Sequence, residues 1–346
     1  MVPIRDWLLF AGGTLPSVAV VLAASLSQGG PSLANRGASM SGLRGGMKTM
    51  CFGRYIVAIP SGAAVAMTLM ESDATTIEPS YSPASSYGEF VSGLEVHEAA
   101  LLARRDKAEG VGLREVSMLP EDRGRLFIYR ESTEARASSI VEALVRRESA
   151  EWRLWFEALD EDIGIIKSDT EDIGGSIEFR GADVIPVGPG ACIENGLLRR
   201  TPREVETFKL AGRIEELWWR FEIQSLVSGP FEKHDQLLTR MAMAYRLAGK
   251  ATSAISVVRA REVVLDGRKG QEHVSLYPDN GTTTFSAHLE LYGDATYKVP
   301  TLQLTMEAHR PTKQDPRDTR QFLSKEEALA IWDAMLKSIR PRPGAF

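Results

Sequence analysis

Apolar and polar positions change period along the chain, and these changes mark out its elements. Leu217, Trp219, Phe221 and Ile223 alternate with Trp218, Arg220, Glu222 and Gln224, the pattern of a strand with one face turned inward. Residues 204–210 alternate in the same way. Trp152, Leu154 and Phe156 alternate too, so 152–159 reads as a strand. Residues 140–147 fit helix or strand, and are assigned to strand beside it. Near the start of the folded part, 49–59 (TMCFGRYIVAI) is strand-like and stops at Pro60-Ser61-Gly62. Alternation resumes over 64–70, which suggests a hairpin. Segments 111–119 and 125–130 flank the turn Pro120-Glu121-Asp122. Segments 255–265, 272–277, 283–292 and 301–308 complete the strands, with a turn over 266–270 and a hairpin signal at Asp279-Asn280-Gly281.

Helical periodicity is clearest at the end of the chain. Ser324 followed by Glu327 makes a capping box, in which the serine caps a backbone N–H and the glutamate reaches back. Ala328, Ile331, Trp332, Met335 and Ile339 then form one apolar stripe, and Pro341 ends it. This helix is expected to lie on the sheet of a second domain. Residues 236–247, 91–107 (Leu94, Ala99, Leu101, Leu102) and 160–177 are further helix candidates, and 78–87 reads as a loop. The segment 181–190 (GADVIPVGPG) holds two prolines and three glycines, the sharpest composition break in the chain. These elements imply an α+β fold of two domains, 47–183 and 190–346, each a mainly antiparallel sheet with packed helices.

The N-terminus has a different character. Arg5 precedes an apolar run over 7–26, interrupted by Gly12-Gly13 and Pro16, with small residues around Ala24, Ser25 and Ser27. A basic start, a short apolar core and a small-residue cleavage region describe a secretory signal over 1–27. A membrane anchor would need a longer unbroken apolar span. Residues 28–46 are rich in Gly and Ser and read as a flexible tether. The expectation is export, with no stable membrane insertion of the mature chain.

Composition narrows the function classes. Among 346 residues, 43% are hydrophobic and 25% charged, ordinary globular values, with a net charge of -5. Nothing there calls for nucleic acid or an anionic membrane. The doublets Arg104-Arg105, Arg146-Arg147 and Arg199-Arg200 are too short for a basic tract and read as solvated. Of the usual catalytic patterns, Gly37-Ala38-Ser39-Met40-Ser41 lacks the last glycine of a nucleophile elbow. His97-Glu98 has no second histidine at zinc spacing, and His234, His273, His288 and His309 are scattered. Gly188-Pro189-Gly190 puts a proline where a phosphate loop needs an N–H. Acidic residues over 157–162 read as a solvated run. No catalytic, cofactor or metal site emerges. Cys51 and Cys192, the only two cysteines, stand just inside each half. They either pair, stabilising by about 4–5 kcal/mol in an oxidising compartment, or remain as two buried thiols.

Four stretches together resemble the type VI secretion lipase-immunity family: MCFGRYIVAIP (50–60), GACIENG (190–196), DGRKGQE (266–272), and the closing ALAIWDAMLKSIRPRPG (328–344). Ala191 departs from a larger apolar residue expected before Cys192. The resemblance implies a periplasmic, non-enzymatic protein. Its partner would be a cognate phospholipase effector, whose lid two α+β domains hold closed. It assigns Cys51, Gly53, Arg54 and Tyr55 to a strand and turn, and leaves the partner-contact residues unknown. Tyr81, Tyr87, Trp152, Trp155 and Trp218 are first candidates for contact, with core packing as the competing role. The rival readings are a periplasmic hydrolase with an unrecognised site and an envelope chaperone that assists a lipase.

Overall fold

The computed structural model describes residues 46–71, 75–80, 83–105, 110–133, 137–214, 217–229, 231–279, 282–311 and 324–346. The predicted signal and all of the tether but Gly46 lie outside them. The first half holds β1 (Met47–Phe52), β2 (Tyr55–Pro60), β3 (Ala64–Glu71), β4 (Thr76–Pro79), α1 (Tyr87–Arg105), β5 (Gly112–Met118) and β6 (Gly124–Arg130). There follow β7 (Ser138–Arg147), β8 (Ala150–Leu159), α2 (Ile163–Ser176), β9 (Ile177–Phe179), β10 (Ala191–Ile193) and β11 (Gly196–Leu198). The second half holds β12 (Val205–Ile214), β13 (Leu217–Leu226), α3 (Leu237–Ala248), β14 (Ser256–Leu265), β15 (Arg268–Asp279) and β16 (Thr282–Leu291). It ends with β17 (Thr301–Pro311), α4 (Lys325–Ser338) and β18 (Arg340–Pro341).

The chain folds into two compact units. One, the N-unit, comprises residues 49–57, 66–210 and 339–346; the C-unit comprises 46–48, 58–65 and 211–338. The α+β reading holds: among the described residues the sheets are mainly antiparallel, with four α-helices packed on them.

In the N-unit, strands β3-β4-β8-β7-β6-β5 are neighbours in that order, and every described pairing is antiparallel. Their alternation drives the layering. Phe127 and Tyr129 of β6 and Ile140 of β7 turn to one side, where Phe90, Leu94 and Leu101 of α1 cover them. α2 packs against β7, where a Cβ on Gly174 would lie 3.4 Å from Val145. A small sheet, β10-β11-β9, stands beside this.

In the C-unit, β14-β15-β16-β17-β13 run antiparallel in that order. Asp279 pairs with Thr282 across antiparallel β15 and β16; of the predicted Asp279-Asn280-Gly281 turn, residues 280 and 281 lie outside the described residues. The apolar face lies under α4, whose Ala328, Ile331, Trp332 and Met335 are buried. Trp332 meets Phe221 edge-on, with ring centroids 6.2 Å apart. The capping box forms as expected: Glu327 N–H donates to Ser324 Oγ at 3.1 Å, and Ser324 N–H donates to Glu327 Oε2 at 2.8 Å. Ile339 is buried one residue beyond the helix end.

Several expectations need correction. The run 49–59 is two strands, because Gly53 turns left-handed (φ +58) and breaks it. A β-carbon there would fall 2.5 Å from the Phe208 ring, so the chain can pass that aromatic only as glycine. The predicted loop over 78–87 is shorter, since β4 ends at Pro79 and α1 begins at Tyr87. β4 is too short to show a period. Arg146 is not solvated: its side chain is 8% exposed and pairs with Glu151 while donating to Ala84 O.

Candidate functional site

Three family-like segments, the start of 50–60, 190–196 and the Arg-Pro tail, meet in the N-unit as a buried polar hub, whereas 266–272 lies in the C-unit. Gly53 and Cys192 exchange backbone hydrogen bonds, N to O at 3.1 and 2.8 Å. That bridge brings Cys51 and Cys192 together with Cα atoms 5.9 Å apart, and a disulfide joins them across 141 residues. Both sulfurs are buried against Leu197. The turn after Gly53 directs Arg54 inward. Its guanidinium makes a two-pronged pair with Glu206 of β12, Nε to Oε2 and Nη2 to Oε1, both at 2.7 Å. Neither side chain is exposed at all. The remaining donors reach Ala345 O at 2.9 Å and Arg200 O at 3.2 Å. The C-terminal Phe346 packs on Tyr55, centroids 6.0 Å apart, and under the Arg54 guanidinium.

Two further arginines serve the loop before β10. Arg342 donates to the carbonyls of Pro186 (2.7 Å), Gly188 (2.8 Å) and Gly190 (2.5 Å). Arg180 donates to Gly181, Ala182, Val184, Ile193 and Gly196. No carboxylate answers Arg342 in these bonds. Burial, reinforced by Arg54, Arg199 and Arg180, pulls its pKa down to about 10. Arg180, Glu206 and Arg342 were missed by sequence reasoning. The Arg-Pro tail was the one visible signal; Glu206 sits in an alternating strand like any other polar residue.

Other titratable clusters are equally self-contained. Glu142 sits between His97 (2.8 Å) and Arg153. Burial pushes its pKa up, but the His97 hydrogen bond and Arg153 charge together hold it below the usual range. In the C-unit, Glu272 accepts from Trp332 Nε1 (2.8 Å), Arg259 (2.6 Å) and Arg261 (2.7 Å). Tyr245 of α3 meets His273 at 2.9 Å, and His288 lies opposite His273 in the β15–β16 register. Among the described residues no set of three His, Cys, Asp or Glu side chains is placed to hold a metal. None of their helices is long and apolar enough to cross a membrane. These groups bind one another; Ser286 Oγ also meets His288 Nε2, and Thr284 Oγ1 meets His309 Nδ1, each at 2.9 Å along the strands β16 and β17.

The aromatic contact candidates separate. Trp152 is buried and its Nε1 donates to Glu194 O at 2.8 Å. Trp155 is half-buried with Arg153 5.4 Å over its ring. Tyr87 is exposed and donates to Asp122 O at 3.1 Å. Tyr81 and the Trp218 side chain fall outside the described residues. A different exposed group stands on the 181–190 loop: Val184, Ile185 and Val187 are 53, 37 and 78% exposed.

The described residues define a class of protein with two α+β units, in which the buried Arg54, Arg180 and Arg342 hold backbone carbonyls. The model of the Tle cognate immunity protein 4 N-terminal domain matches residues 48–167, and that of its C-terminal domain matches 184–344. The chain belongs to this family of type VI secretion lipase-immunity proteins. Its fold is similar to that in the crystal structure of the Tle4–Tli4 complex, at TM-score 0.67 and 18% identity over 89% of this chain and 100% of the other. It is also similar to the apo structure of the immunity protein TplEi of the type VI secretion system from Pseudomonas aeruginosa. There the TM-score is 0.64 and identity 19%, over 87% of this chain and 98% of the other. TplEi complexed with "L" peptide gives TM-score 0.59 and 19% identity, over 86% and 99%. No curated protein matches the chain.

Proposed function

We propose that this chain neutralises a cognate type VI secretion phospholipase in the periplasm by binding it with the lid closed, and catalyses nothing itself. The carrying observation is that both domain models of one immunity family match in order along the chain. Residues 1–27 then act as the export signal and 28–46 as the tether. A lipase that must open to engage lipid is silenced by a rigid partner selective for the closed state. A shift from mostly open to mostly closed needs about 5.5 kcal/mol of differential affinity. A standard interface of about 1,600 Å² can supply that.

Titrating the neighbouring-gene phospholipase with purified chain tests this directly. Activity on phospholipid vesicles should fall to zero at a fixed stoichiometry. Unchanged or raised activity, or substrate turnover by the chain alone, rejects the reading.

A further inference from the structure

The buried hub joins three parts of the N-unit that are distant in the chain: the turn after β1, the segment 181–193 and the tail 339–346. Polar bonds make the joints between them. Gly53 and Cys192 exchange backbone bonds, Arg342 N–H donates to Arg54 O, and Gly190 N–H donates to Ala345 O. The Arg342 side chain holds the carbonyls of Pro186, Gly188 and Gly190. The charges enclosed there do not balance. Arg54, Arg180 and Arg342 are at most 5% exposed, and Glu206 is the carboxylate hydrogen-bonded among them. A guanidinium taken out of water against carbonyls loses hydration that such bonds repay only in part. Burial, then the like charges of Arg54, Arg199 and Arg180, disfavour the Arg342 cation. The sheet under α1 differs, having an apolar core of its own in which Phe90, Leu94, Phe127 and Tyr129 pack.

One covalent bond offsets this cost. The disulfide ties positions 141 residues apart, beside the Gly53–Cys192 backbone bridge. In the chain-entropy model a crosslink over that span shifts the balance between parted and joined by about a thousandfold or more. Both cysteines are 1% exposed, so an oxidant reaches their sulfurs only while the hub is open. We infer that the Cys51–Cys192 bond is the latch of the hub, set by a disulfide-carrying oxidant before the hub closes. With both thiols reduced, 181–193 and 339–346 part from the turn after β1, while the sheet β3-β4-β8-β7-β6-β5 stays folded. The step is thiol–disulfide exchange. One cysteine thiolate attacks the oxidant's S–S bond, giving a mixed disulfide and releasing one oxidant thiol. The second cysteine thiolate attacks the chain-side sulfur of that mixed disulfide, forming Cys51–Cys192 and releasing the second oxidant thiol. The cysteines give up two electrons and two protons, and the oxidant leaves as a dithiol. These are the only cysteines of the chain, so no wrong internal pairing needs repair. The finished N-unit then exists only where such an oxidant is present, whatever that unit binds.

Hydrogen exchange tests the latch. Full-length chain refolded in excess dithiothreitol is compared with the same chain after transfer to oxidised glutathione, and with the Cys51→Ser, Cys192→Ser variant. The amides at positions 53, 190, 192 and 342 report the hub, since each donates across it. Those of β6 and β7 report the sheet. In the thiol chain and the variant, hub amides should exchange at least about a hundredfold faster than in the oxidised chain, with sheet amides changed by less than about threefold. Oxidised glutathione should restore hub protection in wild type and leave the variant as it was. Equal hub protection in the thiol and oxidised chains would show that the hub closes without the bond, and the latch falls. Loss of protection in β6 and β7 together with the hub would make the bond a staple of the whole unit, which overturns the latch equally.

Discussion

Arg54 and Glu206 lie 152 positions apart in sequence and form a bidentate pair at 2.7 Å, with both side chains wholly excluded from water. Around it gather the turn after β1, the strand β12 and the C-terminal tail of the N-unit. A buried pair contributes little over an apolar replacement, but removing one partner strands the other charge. Glu206→Ala should therefore destabilise by about 3–5 kcal/mol. Urea unfolding monitored by tryptophan fluorescence would measure it. A loss under 1 kcal/mol would mean that the Arg54 guanidinium is adequately satisfied by carbonyls.

The disulfide closes a loop of 141 residues, and in the chain-entropy model this stabilises by about 5 kcal/mol. The Cys51→Ser, Cys192→Ser double variant should unfold at a clearly lower urea concentration than wild type. Because both sulfurs are buried, reductant alone should act slowly on the folded protein and quickly once urea is present. Equal midpoints for variant and wild type would show that the bond holds no part of the stability.

Gly53→Ala meets two obstacles, a left-handed backbone and the Phe208 ring 2.5 Å from the new β-carbon. The left-handed conformation costs about 1–2 kcal/mol and the displaced aromatic about 1–3 more. Gly267→Ala, at φ +73 in open space, meets the first obstacle only. Thermal melts of the two variants should differ, with the Gly53 variant lower. Identical melts would deny Phe208 a role in closing that turn.

Acid should weaken the C-unit through its histidines. Loss of hydration, with His273 and Arg240 nearby, drives His288 down to about 4, and burial also lowers His273. The unfolded chain binds these protons first, near pH 6.5, so the native state carries full stability above that value. Stability then falls as pH drops from about 6.5 toward 4, by about 3 kcal/mol for His288 at the low end. Raised Glu290 acts in the opposite sense, being easier to fold when protonated. Urea midpoints at pH 7 and 4.5 should lie closer together in His288→Gln than in wild type. An equal drop in both would remove His288 as the cause.

Local patterns were legible where one face of an element is buried and the other is not. The inward set Trp219, Phe221 and Ile223 and the stripe from Ala328 to Met335 are buried as read, because burial on one side imposes a period on the chain, although Glu222 on the other face of that strand is buried too. The capping box was legible because all its partners lie within four residues. The hub was not. Glu206 and Arg342 look like ordinary surface residues, and only the approach of distant segments makes them interior.

Secondary structure, the α+β class and the family-like stretches were thus written in nearest-neighbour chemistry: side-chain period, turn residues and caps. Which charges face each other, which cysteines meet, and which carbonyls receive Arg180 and Arg342 were decided by folding. Hydrogen bonds and ion pairs act over a few ångströms of space, and sequence separation does not report spatial distance until the chain has closed.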